Sequence, residues 1–125
     1  MQTGRRDAVV ILDDDPAVLA SLEFLLQASG YEVVAYGSPA AFLHSGVQRA
    51  ACLVVDQHMP HMTGLDFIAG LRAAEQTMPA LLVSGTLTQA VRARAANLGV
   101  ATLTKPLKED DLLRFVAAHA RPTIQ

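Results

Sequence analysis

The chain has 125 residues, of which 51% are hydrophobic and 18% are charged, and its formal net charge is −2. This composition excludes an intrinsically disordered chain, and the length is typical of a single domain. The weak net charge argues against a general electrostatic attraction to nucleic acid or to anionic membranes. Cys52 is the single cysteine, and no apolar run approaches the ~20 residues of a membrane helix. We therefore expect one soluble domain in a reducing, cytoplasmic setting.

Five short apolar runs alternate with five segments of helical spacing. The apolar runs are typical of strands buried on both faces of a parallel sheet. They are Ala8–Leu12, Val33–Ala35 with Tyr36, Cys52–Val55, Ala80–Val83 and Ala101–Leu103. The predicted helices are Pro16–Ser29, a helix opened by Ser38-Pro39 and running towards Gly46, Leu65–Ala74, Thr88–Leu98 and Lys108–Ala120. This alternation predicts an α/β domain, (βα)5, in which a doubly wound, five-stranded parallel sheet is flanked by five helices.

Two helix ends carry explicit signals. Asp15 stands directly before Pro16, a pair that predicts a capping residue followed by the first helical position. Gly30 predicts the stop of the same helix, since glycine adopts the left-handed backbone that ends many helices. Asp15 is therefore interpreted as a cap, although it is the third acid of a run.

Polar and charged side chains collect where the predicted strands end. They are Asp13, Asp14, Asp15, Asp56, Ser84 and Lys105. In a doubly wound sheet the ligand site lies at these carboxyl ends of the strands. Neighbouring carboxylates repel each other, and an oxygen-liganded cation such as Mg²⁺ relieves that repulsion. A carboxylate nucleophile, a metal, an ammonium and a hydroxyl are together the groups that phosphoryl transfer needs.

Four motifs stand in order on this β/α repeat: Val9–Asp15, Val54–Pro60 with Thr63-Gly64, Leu82–Gly85, and Thr104–Pro106. Together they resemble the response-regulator receiver domain of bacterial two-component signalling. The resemblance covers roughly residues 7–120 and is nearest to the receivers of the nitrogen-fixation and LuxR-type regulators. It implies the strand order 2-1-3-4-5 and a single receiver domain over residues 1–125, with no effector domain among them.

The resemblance also implies an acceptor and a metal site. Asp56 would be the phosphoacceptor. The ligands of Mg²⁺, with Mn²⁺ as an alternative ion, would be Asp13, Asp14, Asp56 and the backbone carbonyl of His58. Our own hypothesis for the His58 side chain, which flanks the acceptor in the loop, is that it tunes the access of water to the phosphoryl group and hence the lifetime of that group.

Three further positions belong to the implied switch. Ser84 would hydrogen-bond a phosphoryl oxygen, and Lys105 would contact the same group. Pro106 would follow Lys105 through a cis peptide bond. Thr102 occupies the switch position where the family usually has Tyr or Phe, so the aromatic half of the usual switch is in question.

The implied function is a regulated binding module and not a turnover enzyme. A sensor histidine kinase or a phosphotransfer protein would donate the phosphoryl group, and the partner-binding surface would then change. A homodimer could form through helix 4, strand 5 and helix 5, with Arg92 and Arg94 facing Asp110 and Asp111; the alternative is that these charges form a solvated face. We expect neither direct nucleic acid binding nor membrane insertion.

Other functions fit parts of the pattern. Asp13-x-Asp15 after an apolar strand also resembles haloacid-dehalogenase-type phosphatases, in which Asp13 would be the nucleophile, but that interpretation leaves Asp56 without a role. A flavin or nucleotide site would need a Gly- or Ser-rich loop in place of three aspartates. His58 and His61 have a spacing seen in some zinc sites, but no further ligand lies near them in sequence. A degenerate receiver that takes no phosphate is the remaining alternative.

Overall fold

The computed structural model describes residues 7–45 and 49–123, in which strands and helices alternate along the chain. The strands are β1 Val9–Leu12, β2 Val33–Tyr36, β3 Cys52–Asp56, β4 Ala80–Ser84 and β5 Ala101–Thr104. The helices are α1 Pro16–Ala28, α2 Pro39–His44, α3 Gly64–Ala73, α4 Gln89–Asn97 and α5 Glu109–His119. Within these ranges no helix is long and apolar enough to cross a membrane.

All pairs of neighbouring strands are parallel, and the sheet has the order β2-β1-β3-β4-β5. The predicted (βα)5 fold and its strand order are confirmed. The chain runs outward from β1 to β2 and then returns to β3 on the other side of β1. The strand order therefore reverses between β1 and β3, the point at which sheets of this kind bind ligands.

The sheet is covered on both faces, as the continuous apolar strands predict. Alternate residues of a strand point to opposite faces. Val10 and Leu12 pack with residues of α2, α3 and α4, whereas Val9 and Ile11 pack with residues of α1 and α5. These four side chains are at most 2% exposed. The interior strand β1 is thus packed on both faces of the sheet.

The predicted start and stop of the first helix are confirmed. The Asp15 carboxylate caps α1 by accepting the Ala17 N–H at 2.9 Å. Gly30 follows the helix with a φ of 95°. The second helix ends at His44, and the predicted stop at Gly46 lies outside the described residues.

Three strands extend one residue beyond the predicted apolar runs. Asp56, Ser84 and Thr104 are the last residues of β3, β4 and β5. The ladder continues because backbone hydrogen bonds do not depend on the polarity of the side chain. Asp56 is in register with Val83, and Ser84 with Thr104. Two of the candidate functional side chains, those of Asp56 and Ser84, are therefore held on the sheet itself and not on a loop.

Candidate functional site

Three carboxylates converge at the carboxyl ends of β1 and β3. Each of these carboxylates offers one oxygen atom, and the three oxygens lie within 4.8 Å of one another. The residues are Asp13, Asp14 and Asp56. They meet because β1 and β3 are neighbours whose last apolar residues are in register. Asp13 and Asp56 are only 4% and 5% exposed, whereas Asp14 faces the solvent. Asp15 does not contribute to this group, since its carboxylate caps α1.

Lys105 places its ammonium between the two buried carboxylates. Its Nζ lies 2.6 Å from Asp56 Oδ1 and 3.9 Å from Asp13 Oδ2. The Lys105 N–H donates to the Ser84 carbonyl at 2.9 Å, which holds the start of the following loop against β4. The Lys105–Pro106 peptide bond is cis, as predicted. Burial alone would lower the pKa of Lys105, but the hydrogen bond and charge of Asp56, together with the charge of Asp13, raise it above its usual value.

One lysine does not neutralise the acid cluster. Burial raises the pKa of Asp13 above its usual value, and the charge of Asp56 raises it further. The Asp15 N–H, which donates to Asp13 Oδ1 at 2.9 Å, and the charge of Lys105 offset only part of this effect on the pKa. Excess negative charge on converging oxygen ligands, with one side of the site open to solvent, fits a hard divalent cation.

The loop after β3 closes around the Asp56 carboxylate. The His58 N–H donates to Asp56 Oδ2 at 3.0 Å, so each oxygen of this carboxylate has a partner. Gln57 fixes the loop to the start of α3, because its side-chain oxygen accepts the Leu65 N–H at 2.9 Å and its carbonyl accepts the Gly64 N–H at 3.0 Å. No motif in the sequence assigns Gln57 a functional role. The one available signal was a polar residue that follows a buried strand.

Ser84 lies at the same edge of the sheet with its hydroxyl fully buried. The Ser84 Oγ donates to the Thr86 carbonyl at 2.7 Å and accepts the Thr86 N–H at 3.1 Å. His58 Nε2 lies 3.2 Å from the same oxygen. The hydroxyl is therefore satisfied by the loop that leads to α4 and by the imidazole of His58.

The remaining predicted positions lie around this group. Thr102 is half-buried in β5 and is in register with Leu82. His61 is exposed and has a φ of 72°. Within residues 7–45 and 49–123, the three aspartates are the one group of His, Cys, Asp and Glu side chains close enough to hold a metal. The histidine pair does not form such a group, so the geometry gives no support to zinc.

The model for the family described as the response regulator receiver domain matches residues 9–117. Among curated proteins, the response regulator protein TodT of Pseudomonas putida is 37% identical over 120 residues, which cover 93% of this chain and 52% of TodT. The transcriptional regulatory protein FixJ of Azorhizobium caulinodans is 37% identical over 112 residues, which cover 88% of this chain and 53% of FixJ. The chain thus spans about half the length of these relatives.

Solved structures of receiver proteins share the fold. A response regulator receiver protein from Pseudomonas putida superposes with a TM-score of 0.84 at 25% identity, covering 93% of this chain and 99% of that one. The chemotaxis protein CheY4 of Vibrio cholerae superposes with a TM-score of 0.81 at 24% identity, covering 92% and 99%. The family match, the relatives and the fold agree with the resemblance that the four motifs indicated, and the chain belongs to the family of response regulator receiver domains.

Proposed function

We propose that this domain is a phosphoacceptor switch in which Asp56 takes a phosphoryl group from a sensor histidine kinase or a phosphotransfer protein in the cytoplasm. The observation that carries the proposal is the Asp56 carboxylate, which is buried, paired with Lys105 at 2.6 Å and grouped with two further acids within 4.8 Å. A buried carboxylate beside both a cation and a candidate metal site is equipped for nucleophilic attack on phosphorus.

The transfer forms a bond between a carboxylate oxygen of Asp56 and phosphorus, while the bond from phosphorus to the donor's histidine nitrogen breaks. Mg²⁺, or Mn²⁺ in its place, would neutralise charge on the phosphoryl oxygens. It would be held by Asp13, Asp14, Asp56 and the His58 backbone carbonyl. Lys105 supplies a mobile ammonium that can pass from Asp56 Oδ1 to a phosphoryl oxygen. Ser84 supplies the hydroxyl that would donate to the same group.

A phosphatase with Asp13 as nucleophile has less support. Its second acid would be Asp15, whose carboxylate is already used as the cap of α1. Lys105 also lies closer to Asp56 than to Asp13, at 2.6 Å against 3.9 Å. The geometry therefore favours Asp56 as the nucleophile, and the domain acts as a signalling module whose chemistry is limited to its own phosphorylation and dephosphorylation.

The face made by α4, β5 and α5 is proposed as a dimer surface, with fewer charges available than the sequence indicates. Arg94 pairs with Asp66 of α3 at 2.8 Å, and Asp111 pairs with Arg114 of its own helix at 3.0 Å. Arg94 and Asp111 therefore have partners within the chain. Arg92 and Asp110 are exposed and remain the candidates for reciprocal contacts between two copies.

Acetyl phosphate supplied with Mg²⁺ tests the proposal without a kinase, with the products resolved on a phosphate-affinity gel. We expect a shifted band for the wild type, no shift for Asp56→Asn, and loss of the shift with a chelator. Glu32→Gln is the matched control, because it removes an exposed acid that directly precedes β2, at the opposite edge of the sheet from the strand ends that carry the site, and it should shift normally. An Asp56→Asn protein that still takes phosphate, while Asp13→Asn does not, would contradict the assignment.

A further inference from the structure

The hydroxyl of Ser84 has no hydrogen-bonding capacity left. A serine hydroxyl offers one donor and two acceptor positions. Its proton goes to the Thr86 carbonyl at 2.7 Å, and one acceptor position takes the Thr86 N–H at 3.1 Å. His58 Nε2, at 3.2 Å, takes up the second acceptor position. To donate to a phosphoryl oxygen, Ser84 must therefore give up contacts that it already has.

These contacts also determine which nitrogen of His58 carries a proton. If Ser84 donated to His58 Nε2, no proton would lie between Ser84 Oγ and the Thr86 carbonyl oxygen. Two oxygens 2.7 Å apart without a proton between them repel each other. The imidazole must therefore donate from Nε2–H to the Ser84 hydroxyl.

We propose that His58 is a positioning residue that holds Ser84 in its resting arrangement and so opposes activation of the switch. The proposal rests on the proposed function, since Ser84 has to turn towards a phosphoryl group on Asp56. His58 is well placed for this task, because its backbone N–H donates to Asp56 Oδ2 at 3.0 Å while its side chain reaches Ser84. One residue thus links the acceptor of β3 to the hydroxyl at the end of β4.

The contact between His58 and Ser84 should shift the equilibrium between the resting and active arrangements, and the sign of that shift can be measured. We infer that rotation of the Ser84 side chain towards a phosphoryl oxygen also carries Oγ away from His58 Nε2, so that this hydrogen bond is present in the resting arrangement and lost in the active one. Removing the imidazole therefore destabilises the resting arrangement alone and should favour activation. A hydrogen bond of ordinary net strength corresponds to about a threefold to tenfold change in the equilibrium. An imidazole that instead assisted the phosphoryl group would produce the opposite sign.

Nuclear magnetic resonance of the unphosphorylated protein tests the contact itself, independently of phosphorylation. In ¹⁵N-labelled protein we expect the ring ¹⁵N chemical shifts of His58 to show a proton on Nε2 that is hydrogen-bonded. Ser84→Ala should change the His58 Nε2–H signal and leave the ring resonances of His61, which is exposed in the same loop, unchanged. A His58 ring that is protonated on Nδ1 alone, or one that does not respond to Ser84→Ala, would overturn the proposal.

Beryllofluoride binding in the presence of Mg²⁺ tests the consequence. His58→Leu should bind about threefold to tenfold more tightly than the wild type. His58→Gln should bind within about twofold of the wild type, because its side-chain amide can donate to the same hydroxyl. His61→Asn is the matched control in the same loop, since asparagine tolerates the left-handed backbone at that position. It should also bind like the wild type.

The same His58 substitution in Ser84→Ala protein tests whether its effect depends on the Ser84 hydroxyl. In Ser84→Ala protein, His58→Leu should change beryllofluoride binding by less than about twofold, because the contact is already absent. Weaker binding by His58→Leu, or an equal gain in the Ser84→Ala background, would overturn the proposal. If the wild type binds no beryllofluoride and takes no phosphate while the His58 Nε2–H signal is present and depends on Ser84, then the proposed function fails and the contact stands.

Discussion

Gly64 is the position at which one methyl group should disturb the site most. It begins α3, and a Cβ added there would lie 2.4 Å from the Asp56 carbonyl oxygen and 2.9 Å from Val55 Cγ1. Both atoms belong to β3, which is hydrogen-bonded to β1 and β4 on its two sides and cannot move aside easily. The φ of Gly64 lies outside the left-handed region, so the penalty comes from contact alone. We expect Gly64→Ala to lower the free energy of unfolding by about 1–3 kcal/mol.

Gly70 provides the matched control within the same helix. A Cβ at Gly70 meets nothing within 4 Å. Alanine is a better helix former than glycine by about 0.5–1 kcal/mol, so Gly70→Ala should stabilise the domain. Urea unfolding at pH 7 measures both variants, and their midpoints should move in opposite directions from that of the wild type. Equal midpoints for the two variants would refute the argument.

The same substitution should also impair the chemistry. To relieve the contact, the end of β3 has to move relative to α3, and the Asp56 carboxylate moves with it. The 2.6 Å contact with Lys105 cannot be kept unchanged. At a temperature where Gly64→Ala is still folded, its phosphorylation by acetyl phosphate should be slower than that of Gly70→Ala. Equal phosphorylation rates for the two variants would contradict this prediction, because they would mean that the Asp56 carboxylate keeps its position.

Three further substitutions test the electrostatics of the domain. Burial raises the pKa of Cys52 to about 12, while a thiol in the unfolded chain has a pKa of about 8.5. The free energy of unfolding should therefore fall as the pH rises between these two values, because only the unfolded state loses the thiol proton there. Urea unfolding should show that Cys52→Ala lacks this part of the pH dependence. The hydrogen bond from Arg94 lowers the pKa of Asp66, so Asp66→Asn should destabilise the domain at pH 7, with a difference that shrinks as the pH falls below about 4 in the same assay. Lys105→Met removes the cation that competes with a metal for Asp56, so Mg²⁺ should bind several-fold more tightly by calorimetry, and unchanged affinity would contradict the ion-pair geometry.

The fold was predictable because its signals are local. A strand buried on both faces has to be apolar along its length, and the caps of α1 depend on residues next to it in sequence. The predicted ends of β3, β4 and β5 were one residue too early, because the extent of a hydrogen-bonded ladder is not a local property of the sequence. Asp56 and Ser84 are polar, yet the backbone ladder includes them, and no composition rule reports the extent of a ladder.

The site was predictable in its members and less so in its contacts. Parallel strands bring their carboxyl ends to one edge, and that property placed Asp56 and Lys105 together from sequence. The contact between His58 and Ser84 joins residues 26 positions apart and depends on the rotamer of an exposed side chain. Neither spacing nor periodicity carries that information.

The helix nearest to Ser84 along the chain, α4, buries little of its surface. Ala95 is the buried residue of α4, and most of the other side chains of this helix are exposed. Two arginines connect α4 to α3: Arg94 pairs with Asp66 at 2.8 Å, and Arg72 Nε donates to the Leu98 carbonyl at 3.3 Å. Exposed ion pairs are each worth at most about 1 kcal/mol. We therefore expect α4 to respond to a small change in free energy.

A rearrangement of the hydrogen bonds of the Ser84 hydroxyl would supply such a change in free energy near α4. The proton of Ser84 holds the Thr86 carbonyl, and α4 is capped two residues later, where Thr88 Oγ1 accepts the Val91 N–H at 3.2 Å. In the proposed switch, Ser84 would turn to a phosphoryl group, the Thr86 carbonyl would lose its donor, and the loop would be free to take a new path. Because the loop leads directly into a helix with little buried surface, we expect that a local exchange of hydrogen bonds would alter the proposed partner surface formed by α4, β5 and α5. In this chain His58 would set how readily that exchange begins.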